Sequence, residues 1–246
     1  MNVDITAIAL LIVAATFGAS ALLVRGRLAL VMLSAAHFTV LLMLALHVNA
    51  HLLTSLDDAV ETWLRAHRSQ RWQVDADGWF SYLGRPFHVA AAGVVFGTLL
   101  SLQARSLVRG LLVIGAVGAG VIGEQTLKAI IWRTPESLAA LHDGSMTAYA
   151  HSFPSGHVTG ATTLLGMIAV CFAAGRTRAL KAVLGVPVVL GVLFVAFLAL
   201  YSRAHIFSDV LGGMFLGGAI VALGGAVLAG RRRPSVPLSR RPGSAS

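Results

Sequence analysis

One cysteine in 246 residues, Cys171, excludes both a disulfide framework and a cysteine metal site, and its place in an apolar run marks it as a small buried thiol. Charge is nearly as scarce. Only 12% of the residues are Asp, Glu, Lys or Arg, about half the share of a soluble globular domain, which runs near 25%. No Lys or Arg precedes the first apolar run, where "MNVDITA" carries Asp4 instead. The basic head of a secretory signal is therefore missing, and a retained helix is expected. No internal repeat and no linker divides the chain, which argues against a tandem or two-domain plan.

What is abundant is apolar sequence, 57% of the chain. A helix needs roughly 20 mostly apolar residues to span the bilayer hydrocarbon. Such runs fall at 5–24, 28–49, 86–104, 110–127, 157–175, 182–201 and 209–229. The expectation is an all-α, polytopic transmembrane helical bundle. Acid is distributed unevenly along it. Arg25, Arg27, Arg105, Arg109, Arg176, Arg178, Lys181, Arg231, Arg232, Arg233, Arg240 and Arg241 occupy alternate gaps between spans, with no Asp or Glu among them. The other gaps hold seven basic residues and all ten acids. The positive-inside rule makes the acid-free side cytoplasmic, with the N-terminus outside and the C-terminus inside. The net charge of +9 is then a topology signal, and a nucleic-acid partner is excluded. Residues 231–246, "RRRPSVPLSRRPGSAS", are too polar to bury a core and are expected to form a disordered cytoplasmic tail.

The outer segment 51–85 opens with "SLDDAVETWLRAH". Ser55 is expected to cap an interfacial amphipathic helix, with Asp57 and Asp58 at its positive end and Leu56, Val60, Trp63 and Leu64 on one face. Trp72, Trp79 and Tyr82 then lead back into the bilayer as an aromatic belt does.

Three polar clusters share that outer side. Lys128 and Arg133 follow the fourth span, "HSFPSGH" at 151–157 opens the fifth, and "YSRAHIFSD" at 201–209 joins the last two. Singly, each has a bland reading: a snorkelling cation, a hydrogen-bonded histidine, a helix cap at Ser155 followed by a packing glycine. Together they supply cations, two histidines and a helix start whose free N–H groups suit a phosphate. His205 and Asp209 are four apart, so the carboxylate can orient the imidazole. Such a set performs phosphoryl transfer without a metal or other cofactor. One imidazole attacks phosphorus, the second handles the leaving-group proton, and the cations and backbone N–H groups hold the equatorial charge.

These residues resemble the type 2 phosphatidic acid phosphatases, membrane relatives of acid phosphatases and vanadium haloperoxidases, whose pattern is K-x6-R-P, P-S-G-H and S-R-x5-H-x3-D. The resemblance covers about 55–229, including "LDDAV" and "SDVLGG". Carried over, it implies His205 as nucleophile, Asp209 as its orienting partner and His157 as general acid. Lys128, Arg133, Ser155, Gly156 and Arg203 would form the phosphate pocket. It also implies a six-span phosphatase core over 28–230, with the helix in 1–27 as an extra span in front. The sequence departs from the pattern twice. Arg133 stands five after Lys128, with Pro135 where the family has Arg, and Ala199 occupies the place of the third motif's Arg. Positions 199 and 203 are one helical turn apart, so Arg203 is expected to reach the same phosphate from the same face.

The resulting expectation is an integral-membrane phosphatase acting on a lipid phosphate, set in a bacterial inner (plasma) membrane with its site facing the periplasm or outside. A lipid phosphotransferase using the same phosphohistidine and a catalytically degenerate lipid-phosphate-binding protein are the rival readings. A transporter fits less well, because transporters place their charges near the midplane and these lie at span ends.

Overall fold

The computed structural model describes residues 4–83, 85–135, 137 and 149–231, and the tail expected over 231–246 lies outside them except for Arg231. Among the described residues the chain forms α1 (Ile5–Leu23), α2 (Arg27–Leu46), α3 (His51–His67), α4 (Gln70–Leu83), α5 (Pro86–Ala104), α6 (Leu107–Ile130), α7 (Gly156–Ala173), α8 (Arg178–Tyr201) and α9 (Phe207–Gly230). All but α3 and α4 are long and apolar enough to cross a membrane, and they coincide with the seven hydrophobic runs. The chain is an integral membrane protein. Helices satisfy their own backbone polar groups, which is why apolar runs of this length fold as spans in lipid.

α1 and α2 form a hairpin. Asp4 caps α1 by accepting from the Thr6 and Ala7 N–H groups, and Gly26 takes the left-handed conformation (φ +67°) that the turn into α2 requires. The hairpin's other end is tied by His47 Nε2 and Asp4 Oδ2 at 2.8 Å. α1 packs along α2 and leaves most of its surface to lipid.

α9 is the axis of the bundle and packs against α2, α6 and α7. Its crossing with α7 is close because of glycine: a Cβ at Gly213 would stand 2.7 Å from the Ser155 carbonyl oxygen. Backbones that approach this closely align the start of α7 with the start of α9.

The outer segment differs from its expected form. It is two helices, and α3 starts at His51 behind Ala50, so Ser55 is an interior residue and caps nothing. Val60 and Leu64 face the bundle as expected, but Leu56 and Trp63 are exposed. The buried stripe is rotated toward Leu53 and Asp57. Asp57 is only 2% exposed, because its partners lie on other elements. Trp72, Trp79 and Tyr82 on α4 are exposed, as side chains resting in an interface are. α3 packs on α9 and α4 on α8, so the pair closes one end of the bundle.

Candidate active site

The closed end gathers the three polar clusters. Ser155 is the N-cap of α7, its hydroxyl accepting from Val158 N–H at 3.5 Å. Its own N–H donates to the Asp209 carbonyl at 2.9 Å, which pins the second cluster to the third. The His151 Nδ1 lies 3.1 Å from the Lys128 carbonyl and joins the first cluster to the second.

His205 lies in the turn before α9, not inside a helix. α8 ends at Tyr201, and the Ala199 carbonyl accepts from both Ala204 and His205 N–H groups, shaping the turn that presents the imidazole. His205 Nδ1 sits 3.3 Å from Asp209 Oδ2. The four-residue spacing brings these groups together, though across a helix start. Nε2 is left without a protein partner among the described residues.

His157, at the first turn of α7, has its ring centroid 6.4 Å from that of His205. Phe80 of α4 stacks on His157 at 3.9 Å and 16°, and meets His205 edge-on at 6.1 Å. Sequence reasoning missed Phe80, whose only local sign is its place in an aromatic-rich amphipathic segment.

Behind the histidine pair lies a buried charge cluster. Arg133 Nη2 donates to Asp209 Oδ1 at 2.7 Å and to Ser208 Oγ at 2.8 Å, while Nη1 donates to the Val48 carbonyl at 3.1 Å. Asp57 accepts from Ser208 twice, from N–H at 2.7 Å and from Oγ at 2.8 Å, and its carboxylate lies 3.7 Å from Arg133. A guanidinium between two carboxylates neutralises charge that burial would otherwise penalise heavily. Arg133 is 4% exposed. The structure therefore places it behind Asp209, holding the carboxylate that holds His205, rather than at an open phosphate pocket. Asp57 completes this arrangement from α3, whose start at His51 leaves it inside the helix rather than at the positive end expected from the sequence. Burial is the largest influence on it and raises its carboxyl to about 6, although Arg133 and the Ser208 bonds pull the other way.

Lys128 Nζ pairs with Glu124 Oε1 at 2.5 Å, one turn back on α6. That carboxylate lies directly over Gly156, where a Cβ would stand 2.3 Å from Oε1. The glycine of "PSGH" thus brings the Lys128–Glu124 pair against the start of α7, beside its first N–H groups.

Arg203 does not share a helix face with position 199. It lies beyond the end of α8 in the left-handed region (φ +60°), its carbonyl accepts from Tyr149 Oη at 2.6 Å, and its Nε is 3.9 Å from Glu61 Oε1. Glu61 is itself clasped by Arg68 at 3.0 and 3.1 Å. Ala199 is fully buried in the core between α4, α7 and α8. The family's arginine has no room there. Among the described residues no three of His, Cys, Asp and Glu converge as metal ligands.

Comparison with known proteins agrees with this architecture. A family model described as the PAP2 superfamily matches residues 109–233, a stretch that contains all three polar clusters and leaves Asp57 and Phe80 outside. The fold is similar to that of a transmembrane PAP2-type phosphatidylglycerolphosphate phosphatase from Bacillus subtilis, with a TM-score of 0.67 and 23% identity over 82% of this chain and 98% of that one. No curated protein matches the chain.

Proposed function

Because the chain belongs to the PAP2 superfamily, we propose that it is an integral-membrane phosphatase that hydrolyses lipid phosphate monoesters or diphosphates through a phosphohistidine. The observation that carries this reading is the His205–Asp209 pair at 3.3 Å, which engages Nδ1 and leaves Nε2 to react. The acidic partner holds the ring's tautomer and stabilises the positive charge it acquires.

Nε2 of His205 attacks phosphorus, and the P–N bond forms as the bond to the lipid oxygen breaks. His157 delivers a proton to that oxygen. It then takes a proton from the water that attacks the phosphohistidine, and inorganic phosphate leaves as the P–N bond breaks. The 6.4 Å between ring centroids is a span that a phosphoryl group and its leaving oxygen can bridge. Lys128, Arg203 and the first N–H groups of α7 bear on the equatorial oxygens, with Ser155 and Gly156 shaping that helix start. Arg133 acts through Asp209. No step calls for a metal ion.

A site at helix ends suits a substrate whose tail is in the bilayer and whose phosphate is at the interface. The charge bias across the spans supports a site on the outer leaflet with the C-terminus cytoplasmic, and a bacterial inner membrane is the setting proposed for it. Residues 28–230 are read as the phosphatase core, with α1 as an addition to it.

The test is phosphate release by detergent-purified protein, with EDTA present, across phosphatidic acid, phosphatidylglycerolphosphate (the lipid named for the Bacillus neighbour) and a polyprenyl diphosphate. Release from at least one, inhibited by vanadate and abolished in His205→Ala, is the expected result. Undiminished turnover in that variant would overturn the mechanism, and activity restored only by one divalent ion would overturn metal independence.

A further inference from the structure

Among the described residues, the end of the bundle away from the histidines carries cations that pair with no carboxylate. There the starts of α2 and α8 and the ends of α7 and α9 surround a cleft of about 760 Å³, within the range of small-molecule sites, roughly 300–1,000 Å³. Leu30, Val170, Leu184 and Val221 contribute to apolar walls that lie within the spans, and Arg27 and Lys181 line the same space. Neither cation pairs with a carboxylate among the described residues. Arg109, Arg176 and Arg231 line two neighbouring cavities that share Ala174 or Leu228 with it.

An apolar cleft inside the membrane, ending at two unpaired cations, is complementary to an amphiphile with an anionic head. A soluble anion would leave the apolar walls unused. A zwitterionic lipid would bring a third cation to Arg27 and Lys181. We propose that this cleft binds one anionic phospholipid, its acyl chain between α2, α7, α8 and α9 and its phosphate between Arg27 and Lys181. The site is at the opposite end from the catalytic histidines and stands independently of the phosphatase reading.

Gly185 makes the proposal testable. It lines the cleft, and a Cβ built on it meets nothing within 4 Å. Gly185→Leu therefore starts a bulky side chain from an open position on the cleft wall, and leucine favours a helix over glycine. Full-length protein in detergent is titrated with phosphatidylglycerol or phosphatidylcholine, and bound lipid is counted by native mass spectrometry. Wild type is expected to retain one phosphatidylglycerol in preference to phosphatidylcholine. Each cation contributes about fivefold, so Arg27→Gln with Lys181→Gln should weaken that binding about 25-fold. Gly185→Leu, with every charge in place, should lose the same lipid. Retention of phosphatidylglycerol by Gly185→Leu at the wild-type level would reduce the effect to adsorption on a basic face and overturn the proposal. Equal retention of the two lipids by wild type would also overturn it.

Discussion

Asp57 is the residue whose charge state most directly reports on the cluster behind the histidines. Its carboxyl is raised from 3.8 to about 6, mainly by burial. Between those values the folded protein holds a proton that the unfolded chain has released. The group's contribution to stability is therefore complete below 3.8 and is lost as pH rises through about 6. A shift of this size corresponds to about 3 kcal/mol. Thermal unfolding in detergent from pH 4 to 7 should show that decline, and Asp57→Asn, which cannot ionise, should remove its share. An unchanged pH dependence in the variant would contradict the assignment. Arg203 poses a separate question. It sits at φ +60°, a conformation glycine adopts freely, so Arg203→Gly removes the guanidinium without backbone strain. If that group stabilises the transition state, kcat should fall by about 10²–10³, with thermal stability little changed. A charge that merely rests at the interface would leave kcat intact. Moving the arginine to 199 should not rescue the loss, because Ala199 is fully buried and its carbonyl shapes the turn bearing His205.

At the scale of helices, the crossing of α7 and α9 decides whether the histidines meet. Gly213 faces the Ser155 carbonyl oxygen and the Thr159 nitrogen, both backbone atoms that no rotamer change can move. Gly213→Ala should destabilise by about 1–3 kcal/mol, as other overpacked cores do. It should also lower kcat, since the same contact carries the Ser155 N–H to Asp209 carbonyl bond. Gly115 on α6 is the control, because a Cβ there meets nothing within 4 Å. Gly115→Ala should be neutral or stabilise by up to about 1 kcal/mol. Thermal unfolding of the two variants separates close packing from a general intolerance of change in the spans. α3 and α4 act on the site differently, laying Asp57 under Ser208 and Phe80 on His157 from outside the spans.

Across the whole molecule, the proposed orientation rests on charge counted at the two ends of the bundle. The lone cysteine makes it measurable, since Cys171 is fully buried and its replacement by Ser leaves a background without thiols. In that background Asp75→Cys on α4 should react with a membrane-impermeant maleimide in intact cells. Arg178→Cys at the start of α8 should react only after the membrane is opened. The reverse pattern would put the histidines in the cytoplasm and invert the proposed leaflet.

Much of this was legible locally. Runs of about 20 apolar residues mark spans because the bilayer has one thickness, and all seven coincide with helices. Ser155 announces a cap, and the spacing of His205 and Asp209 announces their contact. Counting spans places three polar clusters at one end, and their mutual hydrogen bonds lie there. What the sequence could not express is the partner of a buried charge. Asp57 meets Ser208 across 151 positions, and Arg133 turns inward to Asp209 across 76. Ser55 carries the chemistry of a cap but lies inside α3, and Arg203 leaves the helix that would have aligned it with position 199. Hydropathy, caps and short spacings act over one or two turns of backbone and are written in contiguous residues. The pairing of desolvated charges is chosen by which helices cross and how closely, and glycine at one crossing can change that choice without any sign in the residues that are paired.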